Sequence, residues 1–239
     1  DNVIKVYYVK DNFDYTVEYY YNGVIDDSKT DTLSAEFGST IRTYTDKATD
    51  GYMFERTENF PLTITVNAQN NVIKVYYVTD DTQTKDLSYT VEYYKDNVKV
   101  DDDTQTVTTT VQLLEPNTLT VDTTSINPVD KYPGYRFDST EPDPIPTTVN
   151  NGDVINVYYV RDNIGYSVEY YYNNVRDDSK TETGTALLDS TIDDFIDKVE
   201  TGYRFDRVEN KPLTITAVPA NNVMKVYYVA DENQTKQLS

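Results

Sequence analysis

The chain repeats itself, and that limits its folds more than any other feature. Residues 15–78 and 166–229 align without a gap at an offset of 151, with 39 of 64 positions identical. The first copy opens YTVEYYYNGVIDDSKT and closes NNVIKVYYV; the other opens YSVEYYYNNVRDDSKT and closes NNVMKVYYV. Between them, residues 89–160 form a divergent copy eight residues longer, opening YTVEYYKDNVKVDDDT and closing GDVINVYYV. Self-similarity at this period marks an array of small units in which each module contacts its neighbours, rather than one domain of 239 residues.

The flanks continue the pattern. Residues 2–9, NVIKVYYV, duplicate the closing segment, and 231–239, DENQTKQLS, match 80–88, DDTQTKDLS. The expected organisation is therefore 1–14 as the end of a preceding repeat plus linker and 15–78 as module 1. Residues 79–88 are then a linker, 89–160 the divergent module 2, 161–165 a linker, 166–229 module 3, and 230–239 a linker to a following repeat. The expected period is a pair of modules, 151 residues, within a longer alternating array. None of the linkers is Gly/Ser-rich, so none reads as a flexible tether.

Within a module the hydrophobic pattern alternates. Val17, Tyr19 and Tyr21 fall on one face of the opening strand, with Thr16, Glu18 and Tyr20 on the other. Asn22-Gly23 is a hairpin signal, and the polar return strand from Val24 to Leu33 reads as an edge protected by charge. In the third copy, STIDDFIDKVETG (190–202) has the marks of a helix. Ser190 or Thr191 can cap it, acids follow, Ile192, Phe195, Ile196 and Val199 make a stripe, and Gly202 is the stop. The first copy carries a weaker version with Ile41, Tyr44 and Ala48. In the middle copy Pro128 and Pro133 predict an irregular crossover or a short helical turn. In the closing strand Tyr77 belongs to the core with Tyr19, which leaves Tyr76 and Tyr20 on the open face.

Hairpin, helix, then returning strands is an α+β order. The expected fold is a row of small β-grasp (ubiquitin-like) modules, mainly β with one short crossover helix each, with first and last strands as parallel central neighbours. If chain entry and exit lie at opposite ends, such modules stack as an elongated, semi-rigid rod. Modules of 64 residues are small enough that burial alone leaves them marginal.

Composition removes whole classes of chemistry. The chain has no Cys, His or Trp. There are accordingly no disulfides, no thiolates and no imidazole base or metal ligand. Acidic residues outnumber basic ones 41 to 21, a net charge of −20. A cationic face for nucleic acid or for anionic membranes is lacking, and like-charged copies repel, so a monomer is expected. No run approaches the length of a membrane span. Tyrosine is the excess, with 24 against 7 Phe, and it suits half-buried strands whose hydroxyls must reach a polar partner.

Written out this way, the module resembles the mucin-binding protein (MucBP) repeats of Gram-positive bacterial surface adhesins. The VEYYYNG opening, the Gly-Tyr after the crossover and the closing VIKVYYV carry the resemblance, which covers all three copies. It implies a β-grasp-like fold, a secreted parent attached to the cell surface or wall, and host mucin or another glycan as partner. The chain departs from the family in its tyrosine content and in YNGVIDD or YNNVRDD, where the family often has an Asp-rich turn with Gly.

Four features are candidates for chemistry. The open-face pairs Tyr20 with Tyr76, Tyr94 with Tyr158, and Tyr171 with Tyr227 are candidate stacking platforms for sugar; as plain cross-strand pairs they would only stabilise the sheet. The acids Asp26-Asp27, Asp80-Asp81, Asp101-Asp102-Asp103 and Asp177-Asp178 lack a DxDxDG-type loop and read as solvated charge rather than a calcium site. Lys74 with Asn71, and Lys225 with Asn222, raise a Lys–Asn cross-link, though the middle copy has Asn156 at the lysine position. Glycosidase chemistry by paired carboxylates would need one concave site, whereas these acids recur on polar turns. The expected function is a non-enzymatic stalk that projects a head domain, needing no cofactor or metal. Direct multivalent binding of mucin-type glycans through the tyrosine faces is the alternative.

Overall fold

The structure is a computed structural model and describes residues 2–126 and 130–233. The chain divides into two compact units, 1–87 with 108–117, and 88–107 with 118–239.

Three similar sheets follow one another along the sequence. The first comprises β1 (Asn12–Tyr21), β2 (Val24–Ile25), β3 (Asp31–Glu36), β5 (Tyr52–Glu58) and β7 (Val72–Thr79), while β4 (Thr40–Ile41) pairs with β6 (Leu62–Thr63) alongside. The middle sheet uses β8 (Thr84–Lys95), β9 (Val98–Lys99), β10 (Gln105–Gln112), β12 (Tyr135–Glu141) and β14 (Val154–Arg161), with β11 (Thr118–Thr120) pairing β13 (Thr148–Asn150). The third repeats the first with β15 (Asn163–Tyr172), β16 (Val175–Arg176), β17 (Glu182–Leu187), β19 (Tyr203–Glu209) and β21 (Val223–Ala230). Its side pair is β18 (Thr191–Ile192) with β20 (Leu213–Thr214).

The opening and closing strands are parallel neighbours at the centre of each sheet, as the sequence order predicts. Val17 faces Ile73 and Tyr21 faces Tyr77 across β1 and β7, and Val168 faces Met224 across β15 and β21. The return segment is not one strand. Asp26 caps a 3-10 turn (Asp27–Lys29) that splits it into β2 and β3, both along β1. Asn22 and Gly23 both take positive φ, which the tight hairpin requires.

Each core lies on one face of its sheet. In the first, Val17, Tyr19, Ile73, Val75 and Tyr77 pack with Leu62 and Ile64, and Tyr19 and Tyr77 are fully buried. In the third, Tyr170 and Tyr228 take the same places.

The expected crossover helices are absent. Residues 42–49 and 193–200 carry no regular structure, and Thr191 lies in β18 instead of a helix cap. The one α-helix among the described residues, Thr123–Ile126, belongs to the middle repeat, at the start of the segment where an irregular crossover was expected; Pro128 lies outside the described residues. The α+β expectation thus becomes a mainly β architecture. The cause is tyrosine. Tyr19 and Tyr21 donate their hydroxyls to the carbonyls of Thr45 (2.6 Å) and Lys47 (2.5 Å), and Tyr170 and Tyr172 do the same to Ile196 (2.8 Å) and Lys198 (2.5 Å). The amides of Lys47 and Lys198 in turn donate to the hydroxyls of Tyr77 and Tyr228. Backbone groups that a helix would pair internally are paired to the core instead.

Residues 2–9, identical in sequence to Asn71–Val78, form no strand, and no neighbouring strand pairs with them among the described residues. No helix among the described residues is long and apolar enough to cross a membrane.

Candidate functional site

The three tyrosine pairs are formed as the register requires. Tyr20 lies opposite Tyr76, Tyr94 opposite Tyr158, and Tyr171 opposite Tyr227. Their rings stack at centroid distances of 4.8, 5.0 and 4.8 Å, with interplanar angles of 22°, 29° and 21°. Tyr227 is 8 % exposed and the other five are half-buried, so the pairs sit in the sheet surface rather than above it.

The hydroxyls are tied down. Tyr20, Tyr94 and Tyr171 donate to the glutamate two residues earlier, Glu18 (2.6 Å), Glu92 (2.8 Å) and Glu169 (2.7 Å). Tyr76, Tyr158 and Tyr227 donate to Glu58 (3.0 Å), Glu141 (3.3 Å) and Glu209 (3.0 Å). A phenolate beside a carboxylate is disfavoured, and the Glu18 and Glu169 hydrogen bonds push Tyr20 and Tyr171 up to about 12. Burial first, then its glutamate, raises Tyr158.

The pairs differ in what covers them, which sequence reasoning missed. In the first sheet the Arg56 guanidinium lies 4.0 Å over the Tyr76 ring, clamped by Glu55 (2.6 Å) and Glu58 (3.3 Å), while Lys74 Nζ approaches the Tyr20 ring at 5.7 Å. In the third sheet Arg207 lies 3.8 Å over Tyr227, held by Asp206 (2.7 Å) and Glu209 (3.3 Å). The middle sheet has Ser139 at the register position of the arginine and Asn156 at that of the lysine. The signal was present as Arg-x-Glu in ERTE and DRVE against DSTE, but its meaning needed the strand register.

The other candidates resolve into structural roles. Asp26 and Asp177 each accept from a serine amide and hydroxyl two residues on (Ser28, Ser179), capping 3-10 turns, and Asp80 accepts from Thr82 and Gln83. These hydrogen bonds hold Asp177 and Asp80 below the ordinary carboxylate range. Asp103 accepts from the Tyr132 hydroxyl. Among the described residues no three such side chains converge as a metal site would. Asn71 and Asn222, the asparagines of the Lys–Asn pairs, use both ends of their amides in hydrogen bonds within the fold itself.

A shallow groove of about 730 Å³ lies between the first hairpin and Tyr52, lined by Tyr21, Val24, Asp26 and Lys29. The third sheet repeats it at about 650 Å³ with Tyr172, Val175, Asp177 and Tyr203. Lys29 lies 4.2 Å from the Tyr21 ring centre and Lys180 4.5 Å from that of Tyr172, so a cation already fills each aromatic corner.

Comparison with solved structures finds a likeness to the type 2 repeat of the mucus binding protein MUB from Lactobacillus reuteri. The match is 18 % identical, covers 62 % of this chain and 99 % of that one, and has a TM-score of 0.21. Neither family models nor curated proteins give a match. At that TM-score the argument for function rests on this chain's own residues.

Proposed function

We propose that the chain is a repeat region of a secreted bacterial surface adhesin, acting as a semi-rigid, non-enzymatic stalk. The observation that supports it most is a recurring tie between the glycine after each crossover and the segment leaving its sheet. Asp80 N–H donates to Gly51 O, Asp162 to Gly134 O and Asp231 to Gly202 O, each at 2.9 Å. Gln83 Oε1 also accepts from Gly51 N–H at 2.9 Å. A connection whose first residue is hydrogen-bonded to the preceding sheet has fewer free residues than a tether would.

Small-angle scattering tests the reading. A compact body of this length has a radius of gyration of about 18 Å. Three strand-length bodies in line would span on the order of 100 Å, with a radius of about 30 Å. The larger value is expected, and the smaller would exclude a stalk.

Multivalent glycan binding through the six tyrosines is the weaker reading, because arginines cover the pairs of the first and third sheets. A fragment with Tyr20→Ala, Tyr94→Ala and Tyr171→Ala is expected to capture immobilised mucin no less than the unaltered chain. Saturable capture that the substitutions abolish would reverse that ranking.

A further inference from the structure

The chain shows twice what belongs on its open-face tyrosine pairs, and leaves the third pair without it. In the first and third sheets a guanidinium is sandwiched onto the outer ring and clamped by carboxylates. The middle sheet keeps every other part of this arrangement. Tyr158 stacks on Tyr94 at 5.0 Å, Tyr158 donates to Glu141, and the strand irregularity that positions Arg56 and Arg207 recurs between Phe137 and Ser139. What has changed is the cation. Ser139 is too short and neutral to cover the ring, and Asn156 replaces the lysine that faces the glutamate in the other two sheets.

We propose that the middle sheet is a docking site for a guanidinium supplied by a partner, an exposed arginine on a basic peptide or protein. This goes beyond the stalk reading and does not depend on it. The aromatic ring offers its negative face, and an arginine lies flat on such a face. Glu141 makes no ion pair among the described residues and is placed, as Glu58 and Glu209 are, to accept from the guanidinium edge. The net charge of −20 draws a cationic partner and repels sulfated or sialylated chains. Arginine is favoured over lysine because the two filled copies hold arginine in a flat, clamped pose.

Nuclear magnetic resonance of the whole chain with ring-labelled tyrosine, titrated with an end-capped Gly-Arg-Gly peptide, tests this. The Tyr158 ring signal is expected to shift and saturate, with Tyr76 and Tyr227 unmoved. Ser139→Arg fills the site from within, and should weaken peptide binding by about tenfold or more while the other tyrosine signals stay in place. Arg56→Ser should open a second site at Tyr76, so that its ring signal begins to respond. Equal shifts at all three pairs would mean non-specific attraction to an acidic surface and would overturn the proposal. So would unchanged affinity in Ser139→Arg. A Tyr158 shift produced by lactose but not by the peptide would make the face a sugar platform instead.

Discussion

Asn71 and Asn222 are completely buried, yet neither leaves a polar atom idle. Asn71 Oδ1 accepts from the amide and hydroxyl of Thr65, and its Nδ2 donates to the carbonyls of Thr65 and Asp14. Asn71→Ala would take the side-chain partner from the Thr65 amide and from the carbonyls of Thr65 and Asp14 at once. The expected loss is about 3 kcal/mol in a urea titration, and a loss under 1 kcal/mol would mean water takes over those bonds. The sequence places Asn71 near Lys74, which invites a cross-link. Only the 3-10 turn at Ala68–Asn70 brings Thr65 within reach, and that geometry is not written in the spacing. Tyrosine has a second consequence at this scale. Burial, reinforced by Asp31, Asp46, Glu182 and Asp197, raises Tyr19, Tyr77, Tyr170 and Tyr228 well above the ordinary phenol range. Below pH 10 the phenols are neutral in both states and their contribution to stability is fully present. Above it the unfolded chain ionises first, so stability falls as pH rises from 10 through the raised folded values. The urea midpoint is therefore expected to hold from pH 6 to 9 and drop beyond about 10, with the share of phenolate absorbance that belongs to the buried rings appearing only on unfolding. Titration of all 24 phenols near 10 with the fold intact would contradict this.

Strands were legible because their period is short and their turns are explicit. Alternation placed Tyr19 and Tyr77 inside and Tyr20 and Tyr76 outside, and Asn22-Gly23 fixed the hairpin. The crossover was misread for a physical reason. STIDDFIDKVETG has a cap, an acidic first turn and an apolar stripe, all local signals. Its alternative partners are hydroxyls about 26 to 30 residues away, which no window contains. Non-local hydrogen bonds then outcompete a helix that is marginal at this length. Tyr228→Phe tests that account: it keeps the ring and removes the acceptor for Lys198 N–H and the donor to Asp197. Amide hydrogen exchange at Lys198 and Val199 is expected to speed up by tenfold or more, while the amides of β15 and β21 keep their protection. Unchanged exchange at Lys198 would mean the crossover is held by apolar packing alone. The open-face cations belong to the same lesson, since Arg56 and Tyr76 lie twenty residues apart and meet only across the β5–β7 register.

At the scale of the whole chain, the repeat gave the count of sheets, but not how successive segments are joined. The three glycines that follow the crossovers share positive φ, +84° at Gly51, +80° at Gly134 and +89° at Gly202. A Cβ on Gly51 would sit 2.5 Å from Leu114, and one on Gly134 would sit 2.8 Å from Leu188 and 3.1 Å from Ala217. Alanine at any of the three meets the same backbone cost of about 1–2 kcal/mol. At Gly51 and Gly134 it must also displace a leucine, which adds about 1–3 kcal/mol. Gly51→Ala and Gly134→Ala are therefore each expected to cost more than the backbone term alone in urea denaturation. The excess at Gly51 is expected to shrink when Leu114→Ala is added, since the two changes then share one cause. If neither alanine exceeds the backbone cost, the leucines yield freely and the contact adds no stiffness. If both exceed it, glycine there serves the close approach of a leucine from further along the chain as well as the turn.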